Sequence, residues 1–235
     1  MPSFVAGATG FTGREVVRVL AARAEPVVAH VRPDSSRASE WRERFTSMSA
    51  GFDDTPWEIE AMTDALRRHA PSRVFALLGT TAKRARGEGM SRVEAYQRVD
   101  VGLTLLLLDA VRAAGLRPRF VYLSSVGASE RSGNAYLKAR AQVETALRAS
   151  GVPFTIARPS FISGSLRDEG RPLERAGAVV ADGIMAAVGA LGARRLRAKY
   201  RPTTASALAQ ELVRAAFDPD AEGKILEGQD LFPSR

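Results

Sequence analysis

Short apolar runs alternate along the chain with longer stretches in which apolar residues recur every three to four positions. Several short runs are apolar at successive positions, as are strands buried on both faces of a parallel sheet. They predict strands at 3–6, 27–31, 73–78, 120–123 and 154–157, with weaker ones at 46–50 and 224–226. The longer stretches predict helices at 13–24, 91–114, 136–149 and 205–217. This alternation predicts an α/β fold built on a doubly wound parallel sheet.

Residues at the ends of these stretches support the helices. Ser91 and Glu94 have the spacing of a capping box, in which each side chain bonds the other residue's free backbone N–H. Gly115 and Gly151 follow the ends of two helices, where a left-handed residue is favoured. The segment 160–201 interrupts the alternation with glycine, proline and arginine. We therefore expect an irregular insertion that packs over the carboxyl edge of the sheet.

A glycine-rich loop, residues 7–13, joins the first strand to the first helix. Its first glycine allows a sharp turn, its second lets the backbone approach a pyrophosphate, and its third lets the helix pack closely on the sheet. Free N–H groups at the helix start then face the phosphates, helped by the helix dipole. One glycine would serve for a simple turn, so the loop predicts a dinucleotide site. Its candidate cofactor-binding residues are Gly7, Thr9, Gly10, Phe11, Thr12 and Gly13.

The end of the second strand bears on the choice between the two nicotinamide cofactors. An acidic residue there would bond the ribose 2′-hydroxyl of NAD(H), whereas an arginine accommodates the 2′-phosphate of NADP(H). Arg32 is at this position and Arg37 is a candidate second contact, while Asp34 follows beyond Pro33. The sequence favours NADP(H) over NAD(H), with the alternative that Arg32 is an ordinary surface residue.

Composition excludes several other chemistries. The chain has no cysteine, which excludes disulfides and thiol nucleophiles, and only two histidines, so we expect no metal site. The formal net charge is +8, carried mainly by scattered arginines. The densest basic run, residues 194–201, lacks the interleaved aromatic residues that single-stranded nucleic acids stack on. We interpret it as a solvated face and expect no nucleic-acid partner.

The start of the sequence bears on location. It lacks the basic and apolar regions of a secretory signal, and the chain has no run of 18 apolar residues. We therefore expect a cytoplasmic protein without a membrane span. The oligomeric state stays open, with a homodimer as one arrangement.

Further motifs follow the later strands, and with the glycine loop they form a set spread over roughly the first 160 residues. The segments are Gly7–Gly13, Leu78-Gly79-Thr80-Thr81, Arg98-Val99-Asp100, Leu123-Ser124-Ser125-Val126-Gly127-Ala128, the Tyr136 helix with Val143-Glu144, and Arg158-Pro159. Together they are more specific than any one motif. With them the chain resembles the atypical, extended-like members of the short-chain dehydrogenase/reductase superfamily, and among these the Tat-interacting-protein-type oxidoreductases.

The resemblance implies a Rossmann-like sheet and hydride transfer between NADP(H) and a small carbonyl or alcohol substrate. In that scheme Tyr136 protonates the carbonyl oxygen and Ser125 orients it, with Ser124 as the second choice for the serine. The resemblance also implies that one segment borders the adenine ribose and pyrophosphate, and another the nicotinamide. The first comprises Leu78, Gly79, Thr80 and Thr81, and the second Arg158, Pro159 and Phe161.

Arg140 stands where the family has a lysine, four residues after the tyrosine. Lys138 cannot replace that lysine, because two residues correspond to a rotation of about 200° around the helix. Arg140 could bind the nicotinamide ribose but could not pass a proton on, since a guanidinium stays protonated. An alternative function is therefore a non-catalytic dinucleotide-binding regulatory or scaffold protein. In that case Tyr136 is an ordinary helix tyrosine.

Together these features predict a single NAD(P)-binding domain. Residues 1–159 would form the dinucleotide-binding core, 160–201 a substrate-covering insertion, and 202–235 a returning helix and strand. The sequence does not identify the substrate, because loop composition does not define the shape of a pocket.

Overall fold

The computed structural model of the protein describes residues 1–160, 162–163 and 203–233. Its strands are β1 (Ser3–Ala6), β2 (Val27–His30), β3 (Gly51–Asp53), β4 (Arg73–Ala76), β5 (Arg119–Leu123), β6 (Phe154–Arg158), β7 (Ile162–Ser163), β8 (Thr203–Thr204) and β9 (Lys224–Glu227). Seven of them form a parallel sheet in the order β3-β2-β1-β4-β5-β6-β9, and β7 pairs with β8 in parallel. The predicted doubly wound, Rossmann-like α/β fold is confirmed.

Helices cover both faces of this sheet. They are α1 (Phe11–Ala22), α2 (Ala38–Thr46), α3 (Ile59–His69), α4 (Ala82–Gly87), α5 (Arg92–Ala95), a π-helix (Tyr96–Leu103), α6 (Thr104–Ala113), α7 (Ala135–Ala149), α8 (Ala205–Phe217) and a 3₁₀ turn (Pro219–Ala221). On one face α1 and α8 bury Leu20 and Leu212 in one core cluster. On the other, α3, α6 and α7 bury Leu66, Leu107 and Val143 in a second.

The predicted long helix at 91–114 is divided into three segments. It begins with the expected capping box, but residues 96–103 form a π-helix between α5 and α6. Here the Thr104 hydroxyl donates to the Asp100 carbonyl oxygen at 2.7 Å. A Cβ at Gly102 would lie 3.2 Å from the carbonyl oxygen of Gln97, five residues earlier, which is the spacing of a π turn. The wider turn sets the position of Asp100 at the buried side of the helix.

The weak strand predicted at 46–50 is wrong, and helices α2, α3 and α4 were not predicted. Helix α2 extends to Thr46, and β3 is only three residues long and begins at Gly51. So short a strand offers no alternating pattern to recognise. Phe45 and Ala50, the apolar residues around the predicted strand, are instead buried at the end of α2 and in the turn after it.

The order of the strands creates a crevice at one edge of the sheet. The chain moves outward from β1 through β2 to β3, then returns to place β4 on the other side of β1. In such sheets ligands bind outside the carboxyl ends of the strands, where the winding reverses. Most of the predicted insertion and the basic run 194–201 lie outside the described residues. No helix in the described part of the chain has both the length and the apolar character needed to cross a membrane.

Candidate active site

The glycine loop lies at this crevice and leaves no room for side chains at two of its positions. Gly7 has a φ of +82°, and a Cβ there would lie 2.6 Å from the Leu77 carbonyl oxygen. A Cβ at Gly13 would lie 2.0 Å from the carbonyl oxygen of Gly7. Helix α1 therefore starts against the backbone of the loop, with no side chain capping it and no acidic residue in its first turn. This geometry fits a dinucleotide, because the first N–H groups of α1 are left to bond a phosphate.

Arg32 and Arg37 both follow β2, but they have different partners. The Arg32 guanidinium lies 3.2 Å from Asp34 and 3.7 Å from Glu88, and its side chain is about a third exposed. Arg37 pairs with Glu40 and its guanidinium lies 5.2 Å from the centre of the Trp41 ring. Exposed pairs of this kind contribute little stability, so the partners of Arg32 can be exchanged for a ligand phosphate.

Arg140 is buried beneath the loops that follow β4 and β5. One of its terminal nitrogens donates to the Leu78 carbonyl oxygen at 3.3 Å, the Leu123 carbonyl oxygen at 3.0 Å and the Tyr122 hydroxyl at 3.3 Å. The other donates to the Asp100 carboxylate at 2.8 Å. A single side chain of α7 thus joins the carboxyl ends of two neighbouring strands to the π-helix.

The charges in this network are fixed. Burial opposes the charge of Arg140, but Tyr136, Tyr122 and Asp100 outweigh it and hold the pKa of Arg140 well above its usual value. Burial raises the pKa of Tyr122 to about 12, even though the charge of Arg140 acts in the opposite direction. Near neutral pH, Arg140 therefore stays charged and Tyr122 stays neutral.

Asp100 lies in this network, although the sequence analysis assigned it no role. Besides the ion pair with Arg140, its carboxylate accepts the backbone N–H of Thr80 at 3.1 Å. A Cβ at Gly79 would lie 3.2 Å from Arg140 and 3.5 Å from Asp100, so the loop after β4 rests directly on the pair. The motif Arg98-Val99-Asp100 was the available signal, but the partner of Asp100 lies 40 positions later in the sequence.

Tyr136 lies at the start of α7, where Asn134 caps the helix by accepting its N–H at 2.9 Å. Its ring is half-buried and lies 5.0 Å from the guanidinium carbon of Arg140. The ring of Tyr96 is 5.5 Å away on the π-helix, and burial raises the pKa of Tyr96. Tyr136 is thus held between a permanent cation and a second aromatic ring.

The two candidate serines have different environments. Ser124 is buried, and its hydroxyl donates to Glu144 on α7 at 2.5 Å. Ser125 is half-buried, and within the described part of the chain its hydroxyl makes one long contact of 3.4 Å with the Val126 carbonyl oxygen. Ser125 therefore keeps a hydroxyl for a ligand, whereas the Ser124 hydroxyl is used within the protein.

Arg158, the last residue of β6, is bound to carboxylates. It forms two hydrogen bonds to Glu144, at 2.9 and 2.6 Å, and lies 3.6 Å from Glu227. The bond to Glu144 raises the pKa of Arg158. Pro159 follows it, and Phe161 lies outside the described residues. That Glu144 binds both Arg158 and Ser124 was not predicted from the sequence.

Two buried side-chain atoms among the described residues have no hydrogen-bond partner: Thr80 Oγ1 and Arg140 Nε. Both belong to residues around Gly79, where the loop after β4 meets the Arg140–Asp100 pair. Buried polar groups normally have partners, so unpaired ones beside the crevice fit a site that a ligand or water completes.

Comparison with known proteins agrees with this geometry. A protein-family model described as NAD(P)H-binding matches residues 7–196, from the first glycine of the loop to beyond β7. The chain belongs to this NAD(P)H-binding family. The resemblance to atypical short-chain dehydrogenases/reductases is thereby confirmed at the level of the family, whereas the Tat-interacting subgroup is not confirmed. A nicotinamide dinucleotide is the cofactor of this family, by its description.

Two relatives of this chain have different names. The protein named fmp52-1, mitochondrial, of Aspergillus terreus is 33% identical over 182 residues, which cover 74% of this chain and 72% of the relative. A ceramide reductase of Caulobacter vibrioides is 30% identical over 160 residues, which cover 68% of this chain and 46% of that protein.

Solved structures of the same fold are more distant in sequence. A putative NAD-dependent epimerase/dehydratase of Bacillus halodurans superposes with a TM-score of 0.68 at 17% identity, covering 96% of this chain and 92% of that one. A leucoanthocyanidin reductase of Vitis vinifera, solved with NADPH, gives 0.64 at 17% identity, covering 96% and 68%. At these identities the two structures support the fold alone.

The predicted cytoplasmic location is wrong. Seven relatives that match 70% or more of the chain carry names that call them mitochondrial, which contradicts the prediction. The prediction failed because a missing secretory signal bears only on secretion, whereas organelle targeting uses different segments.

Proposed function

We propose that this protein is an oxidoreductase that uses NADP(H) to interconvert a carbonyl and an alcohol on a small molecule. The arrangement of Tyr136 carries the proposal. Its ring lies 5.0 Å from the guanidinium of Arg140, which bonds the carbonyl oxygen of Leu123. Leu123 is two residues before Ser125, so the tyrosine and the half-buried serine belong to one edge of the site.

In this proposal Tyr136 and Ser125 divide the work on the substrate oxygen. The bound nicotinamide would supply or accept the hydride. Tyr136 would donate a proton to the oxygen, and the Ser125 hydroxyl would hold that oxygen in place. Arg140 keeps its own proton, so Tyr136 would regain its proton from water. Arg140 instead fixes the tyrosine ring and the ends of β4 and β5.

The name of one relative supports a reductive reaction. That relative, which is 30% identical over 160 residues, is called a ceramide reductase. The name supports the reaction type and leaves the substrate of this chain undefined.

Replacement of the tyrosine hydroxyl tests the proposal. We expect Tyr136→Phe to lower the rate of carbonyl reduction by about a hundredfold or more, because the general acid is lost while the ring stays. The binding of the cofactor, followed by nicotinamide fluorescence, should be unchanged. Tyr96→Phe is the matched control, since it removes the hydroxyl of the neighbouring ring, and it should keep the wild-type rate. Equal rates for all three proteins in a broad carbonyl screen would exclude the catalytic role.

The preference for NADP(H) is a separate part of the proposal and rests on Arg32. A 2′-phosphate would replace the exposed Asp34 and Glu88 partners of this arginine with a stronger, doubly charged one. We expect Arg32→Ala to raise the dissociation constant of NADPH at least tenfold and to leave that of NADH nearly unchanged. Arg37→Ala, whose guanidinium is held on α2, should have the smaller effect. Equal NADPH and NADH binding by the wild type would remove the preference.

One observation favours a second function, a non-catalytic dinucleotide-binding regulatory or scaffold protein. Arg140 occupies the lysine position, and all its terminal-nitrogen bonds go to groups of the protein. Such a protein would bind the cofactor normally and show no turnover. The Tyr136→Phe comparison distinguishes the two functions, since only the oxidoreductase loses activity.

A further inference from the structure

A basic depression lies at the amino edge of the sheet, opposite the glycine loop. We name it the basal pocket; it has a volume of about 300 Å³. Its walls come from the starts of β4 and β5 and from the chain that follows α8. The lining includes Ser72, Arg73, Arg117, Arg119, Phe217 and Glu222. No function proposed above uses these residues.

Two of these arginines are direct neighbours across the sheet. Arg73 and Arg119 are paired residues in the register of β4 and β5. Both side chains turn toward the end of α8, where Arg73 donates to the Ala216 carbonyl oxygen and Arg119 to that of Asp218, each at 3.1 Å. Like charges directly opposite each other destabilise a sheet, so the arrangement has a cost that the fold alone does not explain.

Few carboxylates balance these charges. Arg119 is paired with Glu222 at 2.8 Å. Arg73 lies 3.5 Å from the centre of the Phe217 ring, and no carboxylate of the described residues forms an ion pair with it. Burial lowers the pKa of Arg73, Glu25 opposes this at longer range, and the charge of Arg119 lowers it further. Arg117 is exposed, and the described part of the chain offers it no ion-pair partner. Three guanidinium groups thus share one paired carboxylate.

We propose that the basal pocket binds a phosphate-bearing anion. Guanidinium groups are suited to phosphate because their planar, forked donors match its oxygens. The stacking of Arg73 on Phe217 holds one guanidinium in place, and Arg117 supplies a charge from the rim. An anion here would neutralise the repulsion between Arg73 and Arg119. The pocket and the cofactor crevice are at opposite edges of the sheet, so both sites can be filled together.

Titration of pyrophosphate and of inorganic phosphate into the full-length protein tests this site. The titrations are run by calorimetry at constant ionic strength and without nicotinamide dinucleotides, because their own phosphates would compete for the pocket. Phosphate that binds at the glycine loop contributes equally in the wild type and in both variants. Arg117→Gln should raise the dissociation constant about tenfold, as expected for the loss of one charge-assisted contact. Arg68→Gln, an equally exposed arginine on α3 outside the pocket, is the charge-matched control and should bind as the wild type does.

The outcomes distinguish the site from general surface charge and from failure of the proposed function. If pyrophosphate, inorganic phosphate and phosphatidic acid vesicles all fail to bind, or if both variants weaken binding equally, the basal pocket is overturned. Binding only to vesicles that contain about 20% phosphatidic acid, with the same dependence on Arg117, supports the pocket and assigns its phosphate to a lipid headgroup. Vesicle binding that is equal in Arg117→Gln and Arg68→Gln overturns it. Each result tests the basal pocket whether or not the crevice binds a cofactor, because both substitutions leave the residues of the crevice unchanged.

Discussion

Ser124 and Ser125 are the two residues that directly follow β5, and the structure gives their hydroxyls different partners. The Ser124 hydroxyl bonds Glu144 on α7, which in turn holds Arg158. Ser125 is therefore the serine that we propose for the substrate oxygen.

This difference predicts opposite effects for two single substitutions. Ser125→Ala should lower the rate of carbonyl reduction about a hundredfold, because it removes one donor to the substrate oxygen. It should leave the free energy of unfolding unchanged. Ser124→Ala should keep the rate and lower the free energy of unfolding by about 1–3 kcal/mol, since a buried carboxylate loses a donor. Urea unfolding and steady-state rates measure both. The reverse pattern would transfer the catalytic role to Ser124.

Single site residues could be predicted from the sequence, whereas their hydrogen-bond and ion-pair partners could not. The replacement of lysine by Arg140 follows from its spacing to Tyr136. The ion pair between Arg140 and Asp100 could not be predicted in this way, because it joins two segments 40 positions apart. Arg158 was predicted to border the nicotinamide, a role that is still a prediction. Its two carboxylate partners were hidden for the same reason.

At the scale of elements, the π-helix is what brings Asp100 to the site. Helix segments of this kind are rare and often occur at functional sites. Here the segment places one carboxylate below the loop after β4 and against α7 at the same time. Periodicity at this length does not distinguish a π from an α helix, so the sequence predicted a continuous helix.

A double-substitution experiment measures how α7 and the π-helix depend on their shared ion pair. Arg140→Met should lower the free energy of unfolding by about 3–5 kcal/mol, because it leaves a buried carboxylate unpaired. Adding Asp100→Asn removes that charge and keeps an acceptor for Thr80, so the double variant should recover a large part of the loss. Purely additive losses, measured by urea unfolding, would show that the two residues are not coupled.

Most elements could be predicted because they bury consecutive or periodic apolar residues. Strand β1 and helix α8 agree with the predicted bounds, and the remaining predicted strands of the central sheet differ by one or two residues at an end, apart from the misplaced β3. Helix α3 was missed because its buried residues are interspersed with charged ones, among them Glu60, Asp64 and Arg67. Hydrophobic periodicity therefore predicts buried elements well, and it misses elements that are short or mostly polar.

At the scale of the whole molecule, a buried polar cluster links the edge strands to the core. His30 at the end of β2 is buried between the rings of Phe4 and Trp57, and its Nε2 donates to the Thr55 carbonyl oxygen at 2.8 Å. Burial lowers the pKa of His30, although Thr55 and the Asp53 carboxylate act in the opposite direction. The folded protein therefore holds His30 neutral.

This linkage predicts a loss of stability in mild acid. The folded-state pKa of His30 lies below its unfolded value of 6.5, so the unfolded chain takes up the proton first. The contribution of His30 is complete above pH 6.5 and is lost as the pH falls below it. His30→Asn keeps a donor for Thr55 and should flatten the dependence of the urea midpoint on pH in this range. The control His69→Gln leaves His30 in place and should keep the pH dependence of the wild type. An unchanged pH dependence in His30→Asn would show that another group causes the loss of stability.

The central position of β1 has a consequence for how the chain is made. Its two neighbours are β2 and β4, and β4 is not complete until residue 76. During synthesis the first strand therefore waits, unpaired along one side, until about seventy further residues have left the ribosome. The glycine loop that follows β1 rests on the chain after β4, since Gly7 packs against Leu77. The glycine loop therefore cannot reach its final shape before the chain after β4 is present, and a cofactor cannot bind a complete loop before then.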